Sequence, residues 1–192
     1  IIFLTDYARN TIANKMPLRN TTVIPHGIER RFRNRRVLSE GFSKNTYDPI
    51  KLLYVSIQMP YKHHIELINA VYELRKKNIN VKLTLIGPRW GWYSKKIYKL
   101  IKKHDPSGEF IKDEGPVPFS KLHVHYNDHD IFVFPSSCEN MPNILIEAMA
   151  SGLPIVCSDR GPMFEVLGDG GGYFDPESIS SIVDALEHTI EN

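Results

Sequence analysis

The sequence predicts an α/β domain built on a doubly wound parallel sheet, which occupies residues 51–192. Short apolar runs alternate with amphipathic stretches throughout this region. The runs, such as Leu52–Ile57, are continuous and do not alternate apolar with polar residues, a pattern typical of strands that helices cover on both faces. The repeated strand–helix order favours a Rossmann-like sheet, whose ligands bind beyond the carboxyl ends of its strands.

The residues before this region predict a different organisation. Ile1–Leu4 is an apolar run typical of a buried strand, Tyr7–Lys15 predicts a short helix, and Thr22–Ile24 predicts a second short strand. Residues 29–50 include the polar, Arg-rich segment Glu29–Tyr47, which has little periodicity and predicts a linker or surface loop. Because no residue precedes the first strand to pair with it, we expect the sequence to be part of a longer chain.

From residue 51 onward, the spacing of apolar residues distinguishes strands from helices. Continuous apolar runs predict six strands: Leu52–Ile57, Val81–Ile86, the weaker Phe110–Asp113, Asp130–Phe134, Pro154–Cys157 and Tyr173–Phe174. Apolar residues at helical spacing predict the helices that follow them: Lys62–Lys77, Trp92–His104, Ser120–Asn127, Asn143–Ala150, Gly161–Leu167 and Ser178–Ile190.

Composition excludes several classes of protein. Apolar residues make up 42% of the chain and charged residues 24%, so the chain is too apolar to be disordered. The formal net charge of +2 provides no argument for a nucleic-acid partner. Two cysteines, Cys138 and Cys157, form neither a disulfide framework nor a metal-ligand set, which favours a reducing compartment such as the cytoplasm. No apolar run approaches the roughly 20 residues that span a bilayer, and no signal peptide is visible.

The loop and helix after the predicted strand Asp130–Phe134 are the strongest candidate for a binding site. Pro142 suits the first turn of a helix, where its missing N–H costs nothing. The free amides of that turn and the helix dipole suit a phosphate or diphosphate. Glu139 precedes this helix start and Glu147 lies inside the helix, and carboxylates accept strong hydrogen bonds from sugar hydroxyls. A diphosphate between two such carboxylates is the outline of a sugar nucleotide.

The segment Ser137–Pro154 resembles the signature of a large family of retaining glycosyltransferases of GT-B fold, the family-four or group 1 type. That signature has two glutamates separated by seven residues, followed by Ala-x-Ala-x-Gly-x-Pro. Here it consists of Glu139, Glu147, Ala148, Ala150, Gly152 and Pro154, without a gap. Weaker similarities occur at Pro25–Ile28, Tyr54–Lys62 and Ser158–Val166, so the resemblance covers nearly the whole chain.

The resemblance implies that this chain is the C-terminal, donor-binding domain of such an enzyme. Residues 1–28 would then be the last strand and helix of the otherwise absent N-terminal acceptor domain, with the interdomain connection. It implies that Glu139 is the catalytic residue that contacts the donor sugar. It further implies donor sugar and diphosphate contacts at Lys62, Glu139, Asn140, Met141, Asn143 and Ile144, and nucleotide contacts at Gly87, Val117 and Glu147, which would bind the ribose.

Three departures from the family pattern involve four positions. Ile57 stands where an arginine usually accompanies the diphosphate-binding lysine, so one cation is missing unless another residue supplies it. Met141 and Pro142 replace a phenylalanine and a glycine, and the proline removes one amide from the phosphate site, which leaves Asn143 and Ile144. Ser56 replaces a frequent glycine. These changes bear on the phosphate contacts more than on the fold.

The expected function is transfer of a sugar from a UDP- or GDP-linked donor to a saccharide or lipid-linked acceptor hydroxyl, with retention, in polysaccharide, lipopolysaccharide or glycolipid synthesis. We expect no metal and no cofactor, no nucleic-acid partner, and an inactive chain in the absence of the acceptor domain. Two alternatives are a non-catalytic nucleotide-sugar-binding module, suggested by Ile57, and a dinucleotide-dependent oxidoreductase, which would need a Gly-x-Gly-x-x-Gly turn that Ser56–Lys62 does not contain.

Two further patterns have ordinary structural explanations. His123, His125 and His129 lack cysteines or carboxylates at metal-ligand spacing. The lysine-rich face of Lys95–Lys103 is most simply solvated. The alternative for that face, since lipid-linked acceptors are common in the family, is peripheral contact with the inner face of a membrane.

Overall fold

The computed structural model of the protein describes residues 1–33 and 48–191. Its strands are β1 (Ile2–Phe3), β2 (Thr22–Val23), β3 (Ile50–Val55), β4 (Val81–Ile86), β5 (Ile111–Gly115), β6 (Ile131–Phe134), β7 (Ile155–Ser158) and β8 (Gly172–Phe174). Its α-helices are α1 (Asp6–Ala13), α2 (His64–Lys76), α3 (Gly91–His104), α4 (Phe119–Asp128), α5 (Asn143–Ala150), α6 (Met163–Leu167) and α7 (Ile179–Glu191).

Strands β3 to β8 form a six-stranded, wholly parallel sheet in the order β5-β4-β3-β6-β7-β8. Strands β4 and β5 follow β3 on one side of it, and the chain then returns to the other side of β3, where β6, β7 and β8 follow in order. This reversal is the switch point of a doubly wound sheet, where ligands bind beyond the strand ends. Every residue of β6 and β7 is buried, as the continuous apolar runs predict. The predicted fold class is therefore confirmed.

The N-terminal segment, residues 1–28, forms a smaller unit beside this sheet. β1 pairs with β2 in parallel, and α1 lies between them in sequence. The prediction of a buried first strand is wrong, since Ile1 and Ile2 are 63% and 65% exposed. Within the described residues β1 pairs only with the two-residue strand β2, so its apolar side chains do not enter the core.

The structure differs from the surface-loop prediction for residues 29–50 at Phe32. Arg30–Phe32 forms a single 3₁₀ turn that places the Phe32 ring in the core, 1% exposed, with its centroid 5.7 Å from that of Tyr126. The Ser151 hydroxyl donates to the Phe32 carbonyl oxygen at 3.2 Å. A single aromatic flanked by arginines has no periodicity, so the burial of Phe32 was not predictable from spacing. Ile50 already belongs to β3, and residues 34–47 lie outside the described part of the chain.

Several predicted elements have different bounds in the structure, such as β3, which was predicted at Leu52–Ile57 and ends at Val55. The helix predicted at Lys62–Lys77 begins only at His64, because Pro60–Lys62 forms a 3₁₀ turn and His63 adopts a left-handed conformation with φ of 49°. The strand predicted at Phe110–Asp113 is displaced toward its carboxyl end and extends to Gly115. Among the described helices, none combines the length and the apolar character needed to cross a bilayer.

Replacement of Phe32 by alanine tests whether this residue is part of the core. A buried phenylalanine truncated to alanine loses its transfer free energy and leaves a cavity, so Phe32→Ala should lower the free energy of unfolding by about 3 to 5 kcal/mol. Phe164→Ala is the matched control, because Phe164 is 55% exposed; its cost should stay below about 1 kcal/mol. Urea denaturation of both variants measures the difference, and equal small losses would contradict the assignment.

Candidate functional site

The loops after β3 and β6 are bonded to each other at the carboxyl edge of the sheet. The Ser137 amide donates to the Tyr61 carbonyl oxygen at 2.9 Å, and the Ser137 hydroxyl donates to the same oxygen at 3.2 Å. The buried Ser158 hydroxyl donates to the Ser136 carbonyl, which connects the loop after β7 to the same region. Because β3 and β6 are neighbours at the switch point, these bonds hold the two loops together beyond the strand ends, where ligands of such sheets bind.

Lys62 and Glu139, both predicted to contact the donor, meet at this edge as an ion pair between Lys62 Nζ and Glu139 Oε1. Their side chains are only 9% and 15% exposed. The Lys62 ammonium also lies 5.8 Å from the centre of the Phe134 ring and 5.3 Å from that of Tyr61. An ion pair with little access to water is screened weakly, so it fixes both side chains strongly.

The backbone of Lys62 is held from below by the core. The Tyr54 hydroxyl, on the central strand β3, donates to the Lys62 carbonyl oxygen at 2.7 Å. Tyr54 also packs against the imidazole of His64, with ring centroids 4.6 Å apart. The position of the lysine therefore depends on buried aromatic residues and not on its own charge alone.

His63 is a site residue that the sequence interpretation missed. Its left-handed backbone ends the 3₁₀ turn and begins α2, and its Nε2 lies 2.8 Å from the Ser137 hydroxyl oxygen. Its Nδ1 lies 3.6 Å from a Glu66 carboxylate oxygen. The role of His63 was missed because residues 62–77 were predicted to form one continuous helix. Pro60, three residues before His63, was the signal in the sequence for a turn at this point.

The start of α5 has the arrangement expected of an anion site. Pro142 is the cap residue and not the first helical residue, with φ of −78° and ψ of 100°. Its carbonyl accepts from Leu145 and Ile146, so the amides of Asn143 and Ile144 precede the first intrahelical bonds. These two amides and the helix dipole point to the loop that carries Glu139.

Glu147 lies inside α5 and is 5% exposed. The Tyr126 hydroxyl donates to Glu147 Oε2 at 2.9 Å. Burial raises the pKa of this carboxyl group, the hydrogen bond from Tyr126 opposes the rise, and the charge of Glu29 adds to it. The two glutamates thus lie in different surroundings. Glu147 is buried and accepts from the Tyr126 hydroxyl, whereas Glu139 pairs with the Lys62 ammonium at the carboxyl edge of the sheet.

Asn140 and Met141, the other loop residues predicted to contact the donor, also contact the N-terminal segment. The buried Thr5 hydroxyl donates to the Asn140 carbonyl oxygen at 3.1 Å, and the His26 amide donates to the Met141 sulfur at 3.2 Å. The loop that carries Glu139 is therefore held from both sides, by the sheet and by residues 1–28.

Gly87, predicted to contact the nucleotide, occupies a position that only glycine fits. Its φ is 143°, and a Cβ there would lie 2.0 Å from the Ser56 carbonyl oxygen. This close approach brings the ends of β3 and β4 together. Val117 is half-buried against the core in the loop after β5.

Arg89 is a second residue that the sequence interpretation missed. Its Nε donates to Asp113 Oδ2 at 3.0 Å, and its guanidinium lies against Gly115. Gln58 Nε2 donates to the same Asp113 oxygen at 3.1 Å. The guanidinium thus lies at the edge where β3, β4 and β5 end, whereas Ile57 supplies no cation there. The described residues contain no group of three or more His, Cys, Asp or Glu side chains able to hold a metal ion.

Comparison with known proteins gives a consistent set of similarities. The sequence model of the family described as Glycosyl transferases group 1 matches residues 40–192. The chain is 33% identical over 132 residues to the O-antigen chain mannosyltransferase B of Escherichia coli, and this alignment covers 68% of this chain and 34% of that protein. It is 24% identical to the lipopolysaccharide 1,2-N-acetylglucosaminetransferase of Salmonella typhimurium, over 99% of this chain and 52% of that protein.

Solved structures share the fold. The structure of HepE from Anabaena in complex with UDP and glucose matches 100% of this chain and 53% of that one, with a TM-score of 0.82 and 20% identity. A mutant of TarM from S. aureus in complex with UDP and other ligands matches 100% of this chain and 36% of that one, with a TM-score of 0.77 and 21% identity. The chain thus spans between about a third and about half of the length of the proteins it matches.

The buried His64 beneath the site makes stability depend on pH. Burial lowers its pKa from 6.5 to about 3, so the unfolded chain binds the proton more readily than the folded chain. The stability that the neutral ring contributes is complete above pH 6.5 and is lost as pH falls toward 3. His64→Phe should remove this loss, on the order of 3 kcal/mol between pH 7 and pH 4.

Urea denaturation of His64→Phe and the unaltered chain at both pH values measures this effect. His26→Gln, at an exposed histidine, is the control and should leave the pH dependence unchanged. An unaltered pH dependence in His64→Phe would contradict the prediction.

Proposed function

Because the chain belongs to the glycosyl transferases group 1 family, of which it carries the C-terminal domain of GT-B fold, we propose that its site binds the nucleotide diphosphate sugar donor of a retaining sugar transfer. The observation that carries this proposal is the Lys62–Glu139 ion pair in front of the α5 helix start. A cation, two free helix amides and a carboxylate at one edge fit a diphosphate joined to a sugar.

The diphosphate is the group that the helix start recognises. Its oxygens accept from the amides of Asn143 and Ile144 and take the place of Glu139 as the partner of Lys62. Charge builds up on the diphosphate as the bond between it and the anomeric carbon breaks, while the acceptor hydroxyl oxygen bonds to that carbon and its proton passes to the leaving diphosphate. Donors already oriented toward the leaving group stabilise this charge most effectively, because they need no rearrangement during the reaction.

Once the diphosphate is bound to Lys62, the Glu139 carboxylate is free to accept hydrogen bonds from hydroxyl groups of the donor sugar. Charge-assisted hydrogen bonds of this kind are about twice as strong as neutral ones. Glu139 therefore holds the sugar against the leaving group and is the catalytic residue of the proposal. Glu147, with Gly87 and Val117 on the neighbouring loops, binds the nucleoside.

The names of relatives suggest the pathway class. The matched proteins from Escherichia coli and Salmonella typhimurium are named as transferases of O-antigen and lipopolysaccharide synthesis, and the HepE structure contains UDP and glucose. We infer a related role in polysaccharide or lipopolysaccharide synthesis for the whole protein, with a saccharide or lipid-linked acceptor. A screen of UDP-, GDP- and ADP-sugars by thermal shift identifies the base and the sugar.

A second candidate function is a non-catalytic nucleotide-sugar-binding module. Ile57 supports it, because this position offers no cation to the diphosphate. Arg89, at the neighbouring strand end, is the side chain that can supply a positive charge once a ligand competes for it with Asp113. Sugar transfer by the whole protein separates the two candidates, because only the first predicts turnover.

Donor binding should need no divalent metal, since helix amides and Lys62 supply the positive potential. Calorimetric titration with UDP should give the same dissociation constant, within about twofold, with and without EDTA. GDP is titrated in the same way if the thermal-shift screen favours it. Complete loss of binding in the presence of the chelator would refute metal-independent binding.

The two glutamates should affect different parts of the donor. Glu147→Gln should weaken both UDP and UDP-sugar by roughly tenfold to a hundredfold, the effect of losing one charge-assisted bond. Glu139→Gln should weaken only the UDP-sugar, because UDP binds through Lys62, which the substitution releases from its ion pair. Calorimetry with both ligands measures the four affinities.

Glu177→Gln is the matched control, at a carboxylate whose side chain is 72% exposed, and should change neither affinity. Equal losses for UDP and UDP-sugar in Glu139→Gln would refute the role of Glu139, even if donor binding itself is established.

A further inference from the structure

The outer face of α3, together with Trp90 just before it, forms an exposed surface of lysines and aromatic side chains, here called the α3 face. Trp90, Trp92 and Tyr98 are 59%, 60% and 61% exposed. The five lysines are also exposed, and no acidic residue occurs from Arg89 to His104. The members of the α3 face are Trp90, Trp92, Lys95, Lys96, Tyr98, Lys99, Lys102 and Lys103.

The opposite side of the same helix is fixed in the core. Tyr93, Ile97 and Ile101 are buried, at 5%, 0% and 9% exposure. At 100° per residue the exposed side chains cover an arc of about 160° around the helix. The helix therefore lies along the domain with its outer arc turned to the surroundings, and folding does not require that arc to be aromatic.

The charges of the α3 face are uncompensated within the described part of the chain. None of its five lysines forms an ion pair there, whereas Lys76, the last residue of α2, pairs with Glu73, and the next residue, Lys77, pairs with Glu187. The Lys96 ammonium instead lies 4.6 Å from the centre of the Trp92 ring. A surface that combines unpaired positive charge with exposed indole rings fits a partner that is negatively charged outside and apolar just beneath.

We propose that the α3 face docks on the surface of a bilayer that contains anionic lipids. Lysine ammonium groups on flexible stems meet the lipid phosphates, and each contributes to attraction by a negative surface. Trp and Tyr side chains prefer the boundary between headgroups and acyl chains, and Trp90 and Trp92 lie where they can enter it. Because the apolar side of α3 is packed in the core, the contact with the bilayer would rest on the lysines and the exposed aromatic side chains alone.

The same features favour a bilayer over single-stranded RNA. Binding of a nucleic-acid strand usually combines a basic groove with stacked aromatics and arginine planes. The α3 face is a helix surface that contains lysine and no arginine, and the formal net charge of the whole chain is only +2. Lysine is a flexible point charge, which suits mobile lipid headgroups. The fixed phosphates of a nucleic-acid strand suit the planar, bidentate guanidinium of arginine better.

Docking would orient the proposed donor site. Trp90 follows Gly87 by three residues, so the aromatic end of the α3 face begins at the carboxyl edge of the sheet, where the donor loops also lie. A bilayer in contact with this end would hold the edge of the domain close to lipid headgroups. The proposal does not rest on sugar transfer, because vesicle binding requires no donor.

Vesicle co-sedimentation of the 192-residue chain tests the proposal. The chain should bind vesicles of phosphatidylcholine that contain phosphatidylglycerol, and should bind vesicles of phosphatidylcholine alone far more weakly. Lys95→Gln, Lys99→Gln and Lys102→Gln together should weaken binding by roughly fivefold for each lysine, or about a hundredfold in total. Trp90 and Trp92 are the two tryptophans of the sequence, so the emission of the unaltered chain should shift to shorter wavelength on binding, and Trp90→Ala with Trp92→Ala should weaken co-sedimentation with the anionic vesicles.

The matched control replaces three exposed lysines on other elements, Lys76, Lys77 and Lys112, by glutamine. It makes the same change in net charge and should retain most of the binding. Circular dichroism and a thermal shift with UDP show whether each variant remains folded, so that loss of vesicle binding and loss of donor binding are distinguished.

Three outcomes overturn the proposal: no binding to either vesicle, equal binding to both vesicles, or equal losses in the α3 variant and the control. Binding of single-stranded oligouridylate that the α3 variant loses, in a chain that binds no vesicle, would assign the surface to RNA instead.

Discussion

Two opposite charges, on Lys62 and Glu139, are held at the carboxyl edge of the sheet with less than a fifth of either side chain exposed. Removing charges from water is costly, and a buried pair is stable only while both partners are present. The loops after β3 and β6 must therefore stay close, and the Ser137–Tyr61 bonds keep them so. An anion that binds Lys62 can replace Glu139 as the partner of the lysine, and the displaced carboxylate then needs hydrogen-bond donors of its own, such as the hydroxyl groups of a sugar.

Aromatic side chains on the neighbouring strands contact this ion pair and fix its position. Tyr54 on β3 holds the Lys62 carbonyl, and Phe134 on β6 lies under the ammonium. Tyr126 on α4 holds Glu147 and packs against Phe32, whose carbonyl accepts from Ser151 at the end of α5. The two predicted carboxylates are thus positioned by separate aromatic groups, which allows one to stay at the carboxyl edge of the sheet while the other stays in the core.

The sequence predicted a parallel sheet and the succession of strands and helices along the chain, because buried parallel strands leave continuous apolar runs. It also predicted that α5 starts at Asn143, after Pro142. The donor contacts at Lys62 and Glu139 were predicted by family resemblance and stay predictions, and no pattern in the sequence predicted that the two side chains form an ion pair. Phe32, His63 and Arg89 escaped prediction for a common reason. Each acts through a contact with a residue distant in sequence, Tyr126, Ser137 and Asp113 respectively. Periodicity records only which face of an element is buried, and such pairings require the folded topology.

The N-terminal segment is mechanically connected to the proposed donor loop. The Glu165 carboxylate of α6 accepts from the amides of Asp6 and Tyr7 at 2.6 and 2.7 Å, so an acidic side chain from a helix beside the large sheet caps α1. Thr5 caps the same helix and also donates to Asn140. Since Asn140 adjoins Glu139, a shift of residues 1–28 relative to the sheet would strain the loop that presents the Glu139 carboxylate. The geometry of the proposed donor site therefore depends on how the first residues of the chain pack against the loop after β6 and against α6.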